Sequence, residues 1–406
     1  MEDEYDNVEI PCYFICPISM HLMKDPVTVS TGITYDRESI EKWLHLSRRS
    51  KPEPLTCPVT KQALDDPSLT PNHTLRRLIQ AWCTLNSLDK IPTPKPPLEK
   101  SQIVKILKEG EESPGSRIVC LRRLRSIAGR NQSSSTDLRA AGAVDFLLSV
   151  VGGRDDADEA LDVLLEMDLS DSDLRAFFGS DPDGGDLLQP LIRVLGNGDC
   201  NSRARAMSLL KSAFDVADPA HLIGARPEVF VQTTHILRDR ISQQASKAAL
   251  KLLMELCPWG RNRVKAVESG AVHALVELLL DERAADRRSC ELALTVLDQL
   301  CNCAEGRAEL LSHGAGLAIV SKKILRVSHA ASEKGVRIVG SVSRYSGCSR
   351  VLQEMLQVGV VAKLCLVQQV EANRKTKERA REILRLHSRF WRGSSCVPSH
   401  LRASYP

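Results

Sequence analysis

Cysteine and histidine side chains are the groups near the N-terminus that could do chemistry, because both bind zinc. Seven of them occur between residues 10 and 85, with no CxxC pair: Cys12, Cys16, His21, His45, Cys57, His73 and Cys83. A cross-brace domain with two zinc ions needs eight such ligands, since each zinc takes four tetrahedral donors. Seven scattered candidates cannot make two sites, so we predict that this domain binds no metal.

Other polar side chains stand where such ligands would lie. They offer hydroxyl, carboxylate and amide groups: Ser19, Asp25, Thr60 and Asn72. Groups of this kind can hold loops together by hydrogen bonds. We therefore predict that the Cys- and Pro-rich loops at 15–19 and 56–61 are held without metal.

A hairpin and two helices are predicted to position these loops. Residues 27–29 and 33–35 are strand-like and flank a polar turn in which Gly32 can take a positive φ. A helix is predicted to begin at Arg37, with Asp36 as its cap. Its apolar face and that of a second helix after residue 72 are formed by Ile40, Trp43 and Leu44, and by Leu75, Leu78, Ile79 and Trp82.

Three segments, CPISMHLMKDPVTVSTGITYDRESIEKWL, TCPVTK and TPNHTLRRLIQAW, resemble the U-box family, and more closely the plant U-box ubiquitin ligases with armadillo repeats. The resemblance implies a small α+β domain, zinc-free and RING-like, that docks a ubiquitin-charged conjugating enzyme (E2). The implied docking residues are Ile18, Met20, Trp43 and Pro58, with Cys16 supporting the first loop. The helical neighbours of Trp43 would by themselves indicate a core residue.

The resemblance also implies a residue that positions ubiquitin. In such ligases a basic residue of the second loop holds ubiquitin against the E2, and the matching residue here is Lys61. Many relatives in the wider fold use Arg, whose planar fork can bridge two partners, so we expect Lys61 to do this less well. The alternative is that Lys61 is a solvated charge on the loop with no part in ubiquitin transfer.

Composition indicates a large two-domain protein. At 406 residues, 43% apolar and 26% charged, the chain can bury a substantial core. The net charge of +4 favours neither nucleic acid nor membrane, and no segment reaches eighteen apolar residues. The acidic start, MEDEYDN, is unlike a targeting peptide, and the thirteen dispersed cysteines are typical of a reducing compartment. We expect a cytoplasmic protein, with the nucleus as a second location.

The C-terminal three quarters of the chain show a repeat. Breaks before an apolar run recur 43, 42, 43, 44 and 45 residues apart, at Gly142, Gly185, Pro227, Gly270, Gly314 and Gly359. This period is typical of both HEAT and armadillo solenoids, and the Gly-Ala-Val break after a short helix resembles armadillo more than HEAT. We therefore predict an all-α armadillo solenoid of about six three-helix repeats. We expect a U-box domain at 9–84, a Pro-rich linker at 85–98, the substrate-binding solenoid at 99–390 and a tail at 391–406.

The third helix of each repeat is expected to line a concave binding face. Armadillo proteins that hold extended peptides typically present Asn near the end of that helix. The matching positions here are Ser126, Glu166, Ser212, Glu255, Gln299, Ser341 and Arg385, and the last six are expected to line the substrate groove. Without the Asn ladder, we expect this groove to bind a folded surface or a helix of a protein substrate.

The resemblance implies an E3 ubiquitin ligase without a nucleophile of its own, acting by positioning the E2 thioester and the acceptor lysine. A non-catalytic armadillo adaptor that uses the U-box only for docking is the alternative. We expect no cofactor, no nucleic acid partner and no integral membrane segment, and leave homo-oligomerisation open. Roles in plant defence and stress response are associated with the family.

Chelation tests the metal prediction. If hydrogen bonds hold the first domain, residues 1–90 should keep their folded circular dichroism spectrum and bind E2 in a strong chelator. Loss of that spectrum on chelation, with recovery on adding zinc, would show that the U-box interpretation is wrong.

Overall fold

The computed structural model describes residues 10–50, 55–64, 66, 68–85, 100–129, 132–153, 156–167, 169–178, 188–281 and 286–392, apart from the side chains of 45–50, 114, 132–133 and 392. The chain divides into two compact units, Met1–Ile103 and Val104–Pro406. The predicted linker at 85–98 and the tail at 391–406 lie almost entirely outside the described residues.

The first unit contains, among its described residues, an antiparallel sheet of three short strands in the order β2-β1-β3. They are β1 Pro26–Thr28, β2 Thr34–Asp36 and β3 Thr70–Pro71. Val27 lies opposite Tyr35 on one side and opposite Pro71 on the other. Gly32 closes the β1–β2 turn with a φ of 80°, which glycine adopts without steric cost, so the predicted hairpin is confirmed. The sequence does not reveal β3, because a strand of two residues shows no alternation.

Two helices pack against this sheet, α1 Arg37–Ser50 and α2 His73–Leu85, and a short 3-10 helix, Cys12–Phe14, precedes it. Leu78 is 53% exposed, so its assignment to the apolar face is wrong: the buried stripe of α2 runs through Ile79 and Cys83. Each fully buried aliphatic side chain contributes about 1.5–3 kcal/mol to stability. The residues without exposed surface in this core include Cys16, Val27, Tyr35, Ile40, Cys57 and Ile79.

Two carboxylates connect the loop before β1 to the rest of the unit. Asp36 Oδ1 accepts hydrogen bonds from the backbone N–H groups of Lys24 (2.8 Å) and Asp25 (2.9 Å), so it holds the loop before β1 instead of capping α1. Asp25 Oδ2 accepts a 2.6 Å bond from Arg37 Nε, and its Oδ1 lies 3.8 Å from Nη1 of the buried Arg76. Asp25 therefore connects the first turn of α1 to the first turn of α2.

The second unit is helical throughout its described residues. Helix α3 Lys100–Glu112 begins just before the boundary at Val104, and α4 Pro114–Ala128 follows it. Three repeats of three helices follow: α5 Gln132–Ala140, α6 Ala143–Val151, α7 Ala157–Glu166; α8 Asp171–Ala176, α9 Leu188–Asn197, α10 Cys200–Asp215; α11 Pro219–Ile223, α12 Pro227–Asp239, α13 Gln243–Leu256. Three more complete the solenoid: α14 Gly260–Glu268, α15 Ala271–Leu280, α16 Arg287–Leu300; α17 Ala304–Ser312, α18 Gly316–Lys323, α19 His329–Tyr345; α20 Ser349–Gln357, α21 Val360–Gln369, α22 Arg374–Leu386. The short helix α23 Ser388–Arg392 packs on α22.

The third helices form one continuous row, because α4, α7, α10, α13, α16, α19 and α22 each contact the next. The six predicted three-helix repeats are therefore confirmed within the described residues. Gly142, Gly270 and Gly359 precede second helices with φ of 81°, 80° and 75°. The left-handed backbone at these breaks explains why glycine recurs there.

No single described helix is long and apolar enough to cross a membrane. Among the described helices, one pair, α20 and α21, bent by 63°, passes that test jointly. Both helices pack inside the last repeat.

The ion pairs of Asp25 generate a stability prediction. Asp25→Ala should lower the free energy of unfolding of the fragment 1–103 by about 2 kcal/mol, because Arg37 and the buried Arg76 lose a charged acceptor. Lys42→Ala is the control, since its pair with Glu38 is exposed and should contribute less than about 0.5 kcal/mol. Equal urea midpoints for the two variants would contradict this role of Asp25.

Candidate functional site

The two Cys-Pro loops of the first unit have the same backbone structure. The Met20 N–H bonds to the Cys16 carbonyl, and the Lys61 N–H bonds to the Cys57 carbonyl, both at 2.9 Å. Met20 and Lys61 have φ of 58° and 60°, a left-handed conformation that is uncommon outside glycine. Isolated bridges close both loops, between Ile15 and Leu22 and between Thr56 and Ala63.

A buried thiol lies at the centre of the first loop. The Asp36 N–H donates to Cys16 Sγ at 3.3 Å, which ties the loop to the end of β2. Burial alone would raise the pKa of Cys16, but hydrogen bonds from Ser19, Asp36 and Ile18 outweigh it and lower that pKa. Ser19, one of the polar residues expected to hold this loop, thus lowers the pKa of the Cys16 thiol.

The second loop repeats the arrangement with side-chain donors. Thr31 Oγ1 donates to Cys57 Sγ at 3.3 Å, and the Tyr35 hydroxyl lies 3.0 Å from the same sulfur. Burial would raise the pKa of Cys57, yet the hydrogen bonds of Thr31, Thr60 and Tyr35 lower it to about 6. The loop is thereby fixed to the hairpin.

Trp43 is held against the second loop on one side of α1. Its Nε1–H donates to the Thr56 carbonyl at 3.1 Å, and the indole is half-buried. The exposed Lys61 places Nζ 5.4 Å from the centre of the Trp43 ring, a cation–π distance. The structure therefore brings Trp43 and Lys61 into contact, which the sequence does not indicate.

The loop tips present apolar side chains to solvent. Met20 is 74% exposed and Val59 is 51% exposed, while Ile18 and Pro58 are half-buried. Ile18 packs against the same core cluster as Trp43. Val59 is absent from the sequence-based set, although it takes the place in Cys-Pro-Val-Thr that Ile18 takes in Cys-Pro-Ile-Ser. The repeated motif is the signal that would have found it.

The positions predicted to line the substrate groove all lie on third helices. Half of them bond to the preceding repeat or, in the first repeat, to α4. The pairs are Glu166 Oε1 with Arg125 Nε (2.8 Å), Gln299 Nε2 with the Met254 carbonyl (3.0 Å), and Ser341 Oγ with the Cys301 carbonyl (2.7 Å).

The other three positions differ from one another. Ser212 Oγ donates to the Ser208 carbonyl of its own helix at 3.1 Å. Glu255 is half-buried, and this burial raises its pKa although Lys211 lowers it. Arg385 is exposed and has no ion pair with any carboxylate that the structure describes.

One group of potential metal ligands occurs among the described residues, with ligand atoms of His273, Glu277 and His313 within 4.8 Å of one another. His313 Nδ1 accepts the Ala315 N–H at 3.2 Å, and its Nε2 lies 3.2 Å from Glu277 Oε1. A metal-bound histidine donates its second ring N–H, whereas Nδ1 here faces a donor. The group therefore fits a hydrogen-bonded His–Glu pair better than a metal site.

Comparisons with known proteins agree with this geometry. The family model described as U-box domain matches residues 10–87, and that described as plant U-box protein ARM repeat region matches residues 101–406. The Arabidopsis thaliana E3 ubiquitin-protein ligase PUB23 is 48% identical over 99% of this chain and 98% of its own length. PUB22 of the same plant is 47% identical over 98% and 99%, and PUB24 is 34% identical over 98% and 96%.

Solved structures add little to these matches. A designed armadillo repeat protein overlaps 71% of this chain at 18% identity, with a TM-score of 0.36. The assignment therefore rests on the family models and on the full-length relatives. The chain belongs to the plant U-box E3 ubiquitin ligases with armadillo repeats.

Proposed function

We propose that the two loop tips and α1 form the surface on which this ligase docks a ubiquitin-charged E2. The docking side chains are Ile18, Met20, Trp43, Pro58 and Val59, and Cys16 supports the first loop. The observation that carries the proposal is the indole of Trp43, fixed by its bond to Thr56 and covered on one side by Lys61. Exposed apolar side chains around a fixed aromatic ring are typical of binding hot spots.

In this mechanism ubiquitin passes directly from the E2 thioester to a substrate lysine. Cys16 and Cys57 have no exposed surface, and each sulfur accepts hydrogen bonds, so neither is placed to attack a thioester. The ligase accelerates transfer by holding both reactants, which makes the encounter effectively intramolecular. Lys61 holds ubiquitin against the E2 with its ammonium group, which Trp43 orients.

The role of the solenoid in this mechanism is to bind the protein substrate. Its row of third helices presents mixed charges, including Glu166, Glu255 and Arg385. We propose that substrates bind along this row. A cytoplasmic location is part of the proposal, supported by twelve described cysteines that are all free thiols; roles in plant defence and stress response stay predictions from the family.

The docking surface is tested by Trp43→Ala in the full chain. We expect loss of ubiquitin discharge from E2, because a central interface Trp commonly supplies about 2 kcal/mol, roughly thirtyfold in affinity. Ile18→Ala should act similarly. Lys42→Ala is the matched control, since Lys42 is the exposed neighbour of Trp43 on α1.

Discharge is measured in single turnover, with circular dichroism to verify folding. Cys12→Ser should leave the rate unchanged, although Cys12 is the exposed thiol of this unit. Trapping a ubiquitin thioester on Cys12, Cys16 or Cys57 would show that direct transfer is wrong.

The role of Lys61 is tested by two substitutions with opposite expected effects. Lys61→Ala should slow discharge of charged E2 roughly tenfold, the effect of losing one charged hydrogen bond, while binding of uncharged E2 stays within about twofold. Lys61→Arg should match or exceed the parent rate, because a guanidinium can bond two acceptors at once. Equal discharge rates for the Ala, Lys and Arg forms would leave Lys61 with no part in the mechanism.

A further inference from the structure

A groove of about 540 Å³ runs between the last two third helices, α19 and α22. It contains two of the predicted substrate positions, Ser341 and Arg385. In the part of the chain that the structure describes, its charged lining consists of four arginines and one glutamate: Arg337, Arg344, Arg379, Arg385 and Glu382. The groove is therefore strongly cationic.

Internal ion pairs compensate only part of this charge. Arg337 Nε lies 2.8 Å from Oδ2 of the buried Asp298, so its charge is satisfied. Arg344 reaches Glu382 at 3.5 Å, where both side chains are more than half exposed, and such a pair is weak.

Two guanidinium groups of the groove have no such partner. Arg379 and Arg385 form no ion pair within 4.0 Å with any carboxylate that the structure describes. From a greater distance, the positive charge of Arg379 favours the ionised form of Asp298 and lowers its pKa, which burial raises. An Arg fork binds a carboxylate through two parallel hydrogen bonds. The groove therefore offers two guanidinium groups to an anionic ligand.

Exposed apolar side chains lie in the same groove. Tyr345 is 66% exposed and Leu386 is 53% exposed, and both line it. The Arg307 guanidinium lies 5.0 Å from the centre of the Tyr345 ring and supports one face of it. A ligand that covers this groove can thus bury apolar surface beside its charged contacts.

We propose that the groove between α19 and α22 binds an acidic segment of a protein partner, with carboxylates on Arg379 and Arg385 and an apolar side chain on Tyr345 and Leu386. The inference rests on the proposed function, in which the solenoid holds the substrate, and it names the class of segment recognised. A single-stranded nucleic acid fits less well, because it needs successive aromatic side chains for base stacking. Among the described residues that line the groove, Tyr345 is the one aromatic residue.

The test measures fluorescence anisotropy of a labelled peptide, EELEEL, with the full chain at low and moderate salt. We expect binding that weakens with salt, and no comparable binding of KKLKKL. Arg385→Glu and Arg379→Glu should each weaken EELEEL binding at least about tenfold, because each removes a charged contact and adds repulsion. Arg385→Lys should lose less, since it keeps the charge.

Arg374→Glu is the matched control on the same helix, because Arg374 is 91% exposed, lies outside the groove and pairs with Glu378. The affinity of this variant for EELEEL should stay within about twofold of the parent. The proposal is overturned if EELEEL fails to bind, if KKLKKL binds as well, or if Arg385→Glu and Arg374→Glu behave alike. Tighter binding of an oligo-uridylate, lost in Arg385→Glu, would assign the groove to nucleic acid instead. E2 discharge to free lysine, measured on the same variants, reports on the U-box separately, so failure of the ligase mechanism is distinguishable from failure of the groove.

Discussion

The docking surface depends on two buried sulfur atoms that accept hydrogen bonds. Cys16 takes the Asp36 N–H, and Cys57 takes the hydroxyl of Thr31 and lies against that of Tyr35. A buried N–H or O–H donor left without a partner costs about 1–3 kcal/mol. The Asp36 N–H and the hydroxyl of the buried Tyr35 find their partners in these sulfur atoms, which therefore stabilise both loops against the hairpin. The same bonds set both loops against one hairpin, and the hairpin thereby fixes the spacing between the loop tips.

Whether a feature can be predicted from the sequence depends on how far apart along the chain its interacting residues lie. The hairpin at Gly32, the start of α1 and the repeat breaks at Gly142, Gly270 and Gly359 are local, since each depends on backbone preferences of a few residues. The contact of Lys61 with Trp43 is tertiary, and no spacing in the sequence encodes it. Asp25 and Asp36 show the same limit, because the partners of their carboxylates are also brought close by the tertiary fold.

The solenoid illustrates that a correctly predicted helix position does not fix the role of its side chain. Glu166, Gln299 and Ser341 lie on third helices as expected, yet they bond to the helices stacked before them, α4 or the preceding repeat. Stacked repeats gain stability mainly through such nearest-neighbour contacts. Side chains used in this way are less available to a partner, which makes the exposed arginines at the C-terminal end more informative about recognition than the ladder as a whole.

The left-handed backbone at Met20 and Lys61 has a consequence for engineering this fold. Glycine would adopt these φ values of 58° and 60° without strain, and a search for thermostable variants would therefore select it at both positions. Such variants would remove an exposed thioether and the ammonium group beside Trp43. If Met20 and Lys61 have the roles proposed above, selection for stability and selection for turnover oppose each other at these two residues, and a design that ignores turnover would give a more stable protein that transfers ubiquitin more slowly.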